Sequence, residues 1–270
     1  MSGAMADGAD QRLLSGRAAF VAGGASGIGR VIALRLAAAG ADIVITSRDT
    51  DRMDATLTEL RSHGVTAHGV ELDLADLNSP DRAFEQAVGL VGPIDVVVAN
   101  SGIGGPTAPL WEVEVSDLEE TLDVNVRGTF LVLRAATRHM VPRGRGSIVA
   151  IGSMTGKRPL LNRTPYAASK MALVGLVRTL AAEAGPHGIR VNLVSPGFVS
   201  GPRLDWVVAG QASSRGITED EVRAEMTADT PLRRFTAPED VADTVVHLAG
   251  DRSAGITGAD INVSAGLVMY

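Results

Sequence analysis

The sequence contains no cysteine and is poor in aromatics, with two Trp, two Tyr and five Phe among 270 residues. The missing cysteines remove disulfides, thiolate metal sites, iron–sulfur clusters and cysteine nucleophiles together. An excess of positive charge is also lacking. Lys and Arg number 25 against 31 Asp and Glu, a formal net charge of −6, which argues against a dedicated nucleic-acid partner. No apolar run reaches the roughly 18 residues that a membrane span requires. Residues 1–17 are small, polar and acidic, without the apolar core of a signal segment. The chain therefore reads as a cytoplasmic protein with no membrane partner, opening on a flexible tail over 1–14.

Glycine, in contrast, is plentiful: 31 residues, well above the ordinary share of about 7%. The glycines punctuate short β-branched runs that alternate with longer Ala- and Leu-rich stretches along the whole chain. Strands are expected at 17–22, 42–46, 65–71, 94–99, 147–151, 189–194 and 260–263. Helices are expected at 27–39, 53–62, 81–91, 118–140, 166–184, 219–226 and 238–249. Runs such as Asp95-Val96-Val97-Val98-Ala99 are apolar nearly throughout, as parallel strands covered on both faces are. The pattern predicts a single α/β domain over 15–270, a Rossmann-like, doubly wound parallel sheet of about seven strands flanked by helices. Ligands of such sheets sit at the carboxyl ends of the strands, so chemistry is sought at the strand-to-loop junctions.

The first junction reads Ala22-Gly23-Gly24-Ala25-Ser26-Gly27-Ile28-Gly29, between an expected strand and helix. Glycines allow the tight turn and close approach of a ligand to backbone, and the helix start offers unpaired N–H groups to a diphosphate. Gly23, Ser26, Gly27, Ile28 and Gly29 are the candidate dinucleotide contacts. At the tip of the second strand, Ser47 and Arg48 stand where an acidic residue would hold the ribose hydroxyls of NAD. A guanidinium there suits a 2′-phosphate, which favours NADP(H) over NAD(H). Asp49 follows at once, placed either to neutralise Arg48 or to take a hydroxyl itself; the bland alternative for Arg48 is a solvated surface cation.

A second constellation lies mid-chain. Tyr166-Ala167-Ala168-Ser169-Lys170 places a phenol and an ammonium one helical turn apart, and Ser153 follows the strand expected at 147–151. A free phenol, with a pKa of about 10, is a poor base near neutrality. A neighbouring ammonium favours the phenolate and brings the group within reach of acid–base work.

These motifs together resemble the short-chain dehydrogenase/reductase family, over about residues 15–266. The family's glycine motif matches Ala22-Gly23 and Gly27-Ile28-Gly29, and its Asn-Asn-Ala-Gly segment resembles Ala99-Asn100-Ser101-Gly102. Its Asn-x-x-Gly matches Asn125-Val126-Arg127-Gly128, and its Ser, Tyr and Lys match Ser153, Tyr166 and Lys170. Its Pro-Gly turn matches Pro196-Gly197, and Asp73-Leu74 resembles the pair beside the adenine. The resemblance implies catalysis by Asn125, Ser153, Tyr166 and Lys170. It implies coenzyme contacts from Asp73, Leu74, Asn100, Ser101, Gly102, Tyr166, Lys170, Pro196, Gly197 and Val199. Ser153 would hold the substrate oxygen, Tyr166 would exchange its proton, Lys170 would lower the Tyr pKa and hold the ribose, and Asn125 would anchor a proton-relay water. The implied activity is NAD(P)-dependent interconversion of a secondary alcohol and a ketone, without a metal.

The alternatives are a 3-oxoacyl-thioester reductase and, from a different class, a catalytically silent dinucleotide-binding regulator. Ala182 stands where carrier-docking members of the family often have Arg, which counts against the thioester alternative. Departures from the family pattern are Ala22 for Thr, Ser101 for Ala, and Gly201 where a carboxamide-contacting Thr is frequent. A substrate lid is expected near 201–228, with Ser153, Thr155, Tyr166, Phe198 and Trp206 as candidate substrate contacts. The lining suits a modestly apolar ketone or alcohol. Arg158, Arg163 and Arg203 are expected as surface cations, each with a substrate carboxylate as the alternative. The helices at 118–140 and 166–184 are apolar on more than one face, and in the family they build the contacts of a homotetramer.

Overall fold

A computed structural model of the protein describes residues 13–270. Of the tail expected over 1–14, all but Leu13 and Leu14 lie outside the described residues. Leu14 is fully buried, its N–H bonded to Ala39 O at 2.9 Å. An apolar side chain there closes the core beneath the first helix, so the domain begins slightly before residue 15.

Seven parallel strands form one sheet: β1 (Ala18–Ala22), β2 (Asp42–Ser47), β3 (Ala67–Glu71), β4 (Val96–Ala99), β5 (Gly146–Ile151), β6 (Ile189–Pro196) and β7 (Asp260–Val263). Their order is β3-β2-β1-β4-β5-β6-β7. All seven expected strands are present. The chain runs outward from β1 in both directions, so the direction of winding reverses between β1 and β4. In register, Ala22 of β1 lies beside Ala99 of β4, which lies beside Ala150 of β5. The segments leaving these three strands therefore emerge side by side.

Helices α1 (Gly27–Ala38), α2 (Thr50–Arg61), α3 (Ser79–Val91), α4 (Val115–Leu122), α5 (Thr129–Met140), α6 (Thr164–Ala184), α7 (Pro202–Arg215), α8 (Glu219–Ala228) and α9 (Pro238–Ala249) complete the chain. One sheet face packs Phe20, Val97, Ile148 and Val191 against Phe84, Leu133 and Leu173. The other packs Ile43, Val98 and Val149 against Ile32, Leu36, Val245 and Leu248. Burial on both faces explains why the strand sequences do not alternate. No helix among the described residues is long and apolar enough to cross a membrane.

Two differences from the sequence-based expectations bear on the site. The helix expected over 118–140 is interrupted by a π-helical turn at Asp123–Gly128, a wider coil that presents backbone and side chains out of the α-helical phase. Asn125 sits in it. In the region 201–228, where a helix was expected only at 219–226, a second helix precedes it. Pro202 opens α7 and Gly216, at φ +66°, ends it, while Thr218 caps α8 in a reciprocal box with Glu221. Leu204, Val208, Ala212, Val222 and Met226 form a small core of their own with Phe198 and Met154.

Candidate active site

The turn after β1 is glycine-built for two separate reasons. Gly23 and Gly27 have φ of +71° and +53°, the left-handed region. Gly29 is required by crowding, since a Cβ there would drive into Gly23 O and the Asn100 side-chain amide. Gly23 N donates to Thr46 Oγ1 at 3.2 Å, and Asn100 Nδ2 donates to Gly23 O at 3.2 Å. The turn is thus held from β2 on one side and β4 on the other. Ser26 occupies the cap position of α1 but gives no side-chain cap, and Gly27 is exposed with nothing within 4 Å of its missing Cβ. Uncapped N–H groups beside open space fit the diphosphate of a dinucleotide.

At the tip of β2, Asp49 N donates to Ser47 Oγ at 2.9 Å. Asp49 itself caps α2, accepting from Arg52 N at 3.0 Å and pairing with the Arg52 guanidinium at 3.0 Å. Asp49 is thus engaged with α2 and forms no ion pair with Arg48 among the described residues. Arg48 is exposed and forms no ion pair among the described residues. Further along the sheet edge, Asp73 Oδ1 accepts from Ala75 N at 3.0 Å, and Leu74 is buried against Gly128. At the far side, Gly197 N donates to Val263 O at 2.9 Å, tying the Pro196-Gly197 turn to β7, and Val199 bridges to Thr236.

The mid-chain constellation assembles where the strand ends converge. Tyr166, in the first turn of α6, is partly buried, and Lys170 is 5% exposed. Lys170 Nζ lies 5.8 Å from the centre of the Tyr166 ring and donates to Ile151 O at 2.9 Å, at the end of β5. Burial opposes ionisation of the Tyr166 phenol. Lys170, Arg203, a hydrogen bond with Ser153 and Arg163 together overcome it and hold the phenol below its ordinary value. Burial lowers the Lys170 pKa, against the opposing pull of Tyr166 and reinforced by Arg203.

Asn125, fully buried, clamps the backbone beside them. Its Oδ1 accepts from Ile103 N at 2.8 Å, and its Nδ2 donates to Ile103 O and Ser169 Oγ, both at 3.0 Å. Ser169 Oγ in turn donates to Tyr166 O at 2.8 Å. Ser169 was not singled out from the sequence; its place one turn beyond Tyr166 was the available signal. Ser153 Oγ accepts from Thr155 N at 3.1 Å. The loop that follows is anchored by Lys157, which pairs with Asp260 at 2.7 Å.

Of the expected substrate contacts, Thr155 and Phe198 are 5% and 6% exposed, and Phe198 packs edge-on against Phe235 in the core beneath α7 and α8. Trp206 is half-exposed on α7. Arg158, partly exposed, pairs with Asp229 at 2.7 Å. Arg163 differs: it is 2% exposed, with its guanidinium 5.2 Å from the Tyr166 ring and 4.9 Å from the Trp206 ring. Two aromatic faces brought together from α6 and α7 enclose it, a tertiary effect with no local sequence signal. Arg203, on α7, lies 5.4 Å from the Tyr166 ring.

Residues 23–268 match the family model described as enoyl-(acyl carrier protein) reductase. The chain belongs to the short-chain dehydrogenase/reductase family. It is 35% identical to the 3-oxoacyl-acyl-carrier-protein reductase FabG of Aquifex aeolicus, over 94% of this chain and 98% of that protein. Among solved structures, an NAD⁺-bound xylitol dehydrogenase superposes with a TM-score of 0.91 at 29% identity, covering 94% of this chain and 99% of that one. A blue fluorescent protein from a metagenomic library, in complex with NADPH, gives 0.85 at 37% identity, with 96% and 100% covered. The fold and the oxidoreductase class are those of this family.

The crowding at Gly29 sets a test of the turn. Gly29→Ala is expected to destabilise the protein by about 1–3 kcal/mol and to weaken coenzyme binding, read by thermal unfolding and by fluorescence titration with NADH and NADPH. Unchanged stability together with unchanged affinity would show that the turn is not held as described.

Proposed function

We propose that the protein interconverts a secondary alcohol and a ketone with a nicotinamide dinucleotide, using Tyr166 as the general acid and base. The observation that carries this reading is the Tyr166 ring with Arg163, Lys170 and Arg203 within 6 Å of its centre, at the strand ends beside the glycine turn. When bound, the coenzyme supplies or accepts the hydride. Gly23, Ser26, Gly27, Ile28 and Gly29 would hold its diphosphate, Asp73 and Leu74 its adenine side, and Asn100 to Gly102, Lys170 and the turn from Pro196 to Val199 its nicotinamide side.

The protein's part is to orient and to move a proton. Ser153 and Tyr166 hold the substrate oxygen, and Tyr166 Oη gives a proton to that oxygen in reduction and removes it in oxidation. Lys170 keeps the phenolate accessible. Asn125 acts by position: it fixes the backbone at Ile103 and, through Ser169, the first turn of α6. Helices α7 and α8, with a core separate from the main sheet, are suited to serve as a lid.

A second reading, reduction of a 3-oxoacyl thioester, is favoured by the likeness to FabG and uses the same proton chemistry. Turnover of acetoacetyl thioesters separates the two. For the coenzyme, NADP(H) is supported by an unpaired Arg48 beside an Asp49 already engaged with α2. For assembly, a groove of about 590 Å³ between α5 and α6, lined by Phe130, Leu133, Leu176 and Leu180, supports a homotetramer in which a second copy covers this face.

Tyr166→Phe is expected to lower kcat by about 100- to 10,000-fold with the fold intact by circular dichroism; near-normal turnover would exclude the assignment. Oxidation needs the phenolate, so its rate should rise with pH to a plateau with a midpoint below the ordinary value of about 10. Reduction should fall through the same midpoint. Lys170→Met, removing the strongest stabiliser of the phenolate, should move the midpoint upward. Arg48→Ala should reduce the kcat/KM preference for NADP over NAD by about tenfold or more; a wild-type enzyme that prefers NAD would refute the coenzyme reading. Light scattering at micromolar concentration should give a tetramer mass, lost on Leu176→Glu.

A further inference from the structure

Three cationic side chains, Arg163, Lys170 and Arg203, lie within 6 Å of the centre of the Tyr166 ring, at 5.2, 5.8 and 5.4 Å. None forms an ion pair with a carboxylate among the described residues. Arg163 and Lys170 are buried, whereas Arg203 is exposed on α7. The comparably buried cations Lys157 and Arg143 are paired with Asp260 and Asp95, each at 2.7 Å. On the two lid helices, Arg215 pairs with Glu225 and Arg223 with Asp205, leaving Arg203 as the exception among their arginines. Arg203 makes only a long contact, 3.4 Å, with Gly102 O.

Arg163 is the more telling of the two. Its Nη1 donates to Thr107 Oγ1 and its Nη2 to Gly104 O, both at 2.8 Å, while its buried Nε has no partner. A guanidinium withdrawn from water without a counter-charge is costly. Tyr166 and Trp206 enclose its faces but do not neutralise it. Lys170 has a local reason to be unpaired, since a carboxylate beside it would cancel its effect on the phenol. Both arginines share that effect, but Arg163 contributes the least to it, which leaves its burial without a counter-charge unexplained.

We infer that Arg163 and Arg203 form a seat for an anion beside Tyr166, and that the preferred substrate is a hydroxy acid or oxo acid whose carboxylate binds there. This rests on the alcohol–ketone reading and adds the substrate class to it. A planar carboxylate matches guanidinium donors well. The phosphates of the coenzyme are the other anions in reach. Their seats, however, lie at the start of α1 and the tip of β2, whereas these arginines flank the reacting end. Arg203 sits on the first turn of α7, so an anion bound between it and Arg163 would draw the lid onto the body of the protein.

The test compares 3-oxobutanoate, 4-oxopentanoate and 4-oxocyclohexanecarboxylate with the methyl ester of each. For at least one pair the acid should show the higher kcat/KM, by about tenfold or more, with KM rising with ionic strength. Arg203→Gln should reduce that preference by about tenfold. Arg163→Lys, which keeps the charge without the fork, should reduce it in the same direction; because it is buried, the Arg203 variant and the binding measurement stand independently of it. Calorimetry of the coenzyme-loaded protein should show cyclohexanecarboxylate binding more tightly than cyclohexanecarboxamide, a difference lost in Arg203→Gln. Esters preferred in every pair, or equal affinity for the carboxylate and the carboxamide, would overturn the inference. So would an Arg203 variant that raises the KM of coenzyme while leaving the acid-to-ester ratio unchanged, since the arginine would then belong to the coenzyme. Absence of turnover on every carbonyl compound would refute the alcohol–ketone reading alone, because calorimetry still reads the seat.

Discussion

A buried ammonium without a carboxylate partner is the constraint around which this molecule is organised. Lys170 donates to a neutral carbonyl, Ile151 O, and the nearest group able to carry a compensating negative charge is the phenol of Tyr166. Burial pushes both groups toward their neutral forms, and mutual attraction pushes both toward their charged ones. The proton shared in that balance is the one the proposed reaction moves. A carboxylate placed beside Lys170 would stabilise the fold and remove the incentive for the phenol to ionise. For the proposed reaction the unsatisfied charge is therefore a requirement, and the rest of the chain has to tolerate it.

The sheet makes it tolerable by geometry. Because β1, β4 and β5 are in register at Ala22, Ala99 and Ala150, the glycine turn, the Asn100 segment and the Ser153 loop leave the sheet as neighbours. Each is then cross-tied: Asn100 to Gly23, Asn125 to Ile103, Lys170 to Ile151, Lys157 to Asp260. The ties mostly run between side chains and backbone, so they fix loop paths without placing an acid near the phenol. The π turn at Asp123–Gly128 belongs to the same economy of placement. It lets a buried Asn reach the Ile103 backbone and Ser169 from one position.

Much of this was legible from residue patterns. All seven strands were, because β-branched runs buried on both faces leave a strong signal, and so was the glycine turn, whose chemistry is local. The pair Tyr166 and Lys170 was legible because helical spacing alone brings the two residues together. What escaped depended on contacts between distant segments. The π turn interrupts an otherwise uniform helical sequence, and the bonds Asn125 makes from it to Ile103 and Ser169 leave no local signal. Helix α7 was read as lid rather than helix although Pro202 and Gly216 bracket it, because its apolar residues face a small local core and not the sheet. Arg163 looked like any solvated cation: its burial requires Tyr166 from α6 and Trp206 from α7 to meet on either side of it.

The division between these two classes has a functional logic. The groups proposed to handle the coenzyme and the proton are held by the sheet and the helix starts beside it, where position is set by extensive hydrogen bonding and cannot drift far. Two groups near the phenol, Trp206 and Arg203, ride instead on α7, whose packing is with α8 and Phe198 rather than with the main core. A sequence can vary there without disturbing the sheet, while Arg203 keeps α7 within electrostatic reach of the phenol. Arg163 joins the two parts, because it is bonded to the β4–α4 segment through Gly104 and Thr107 while stacked under Trp206. In the proposed anion seat, a ligand that neutralises Arg163 would therefore act on both parts at once, through a single buried guanidinium.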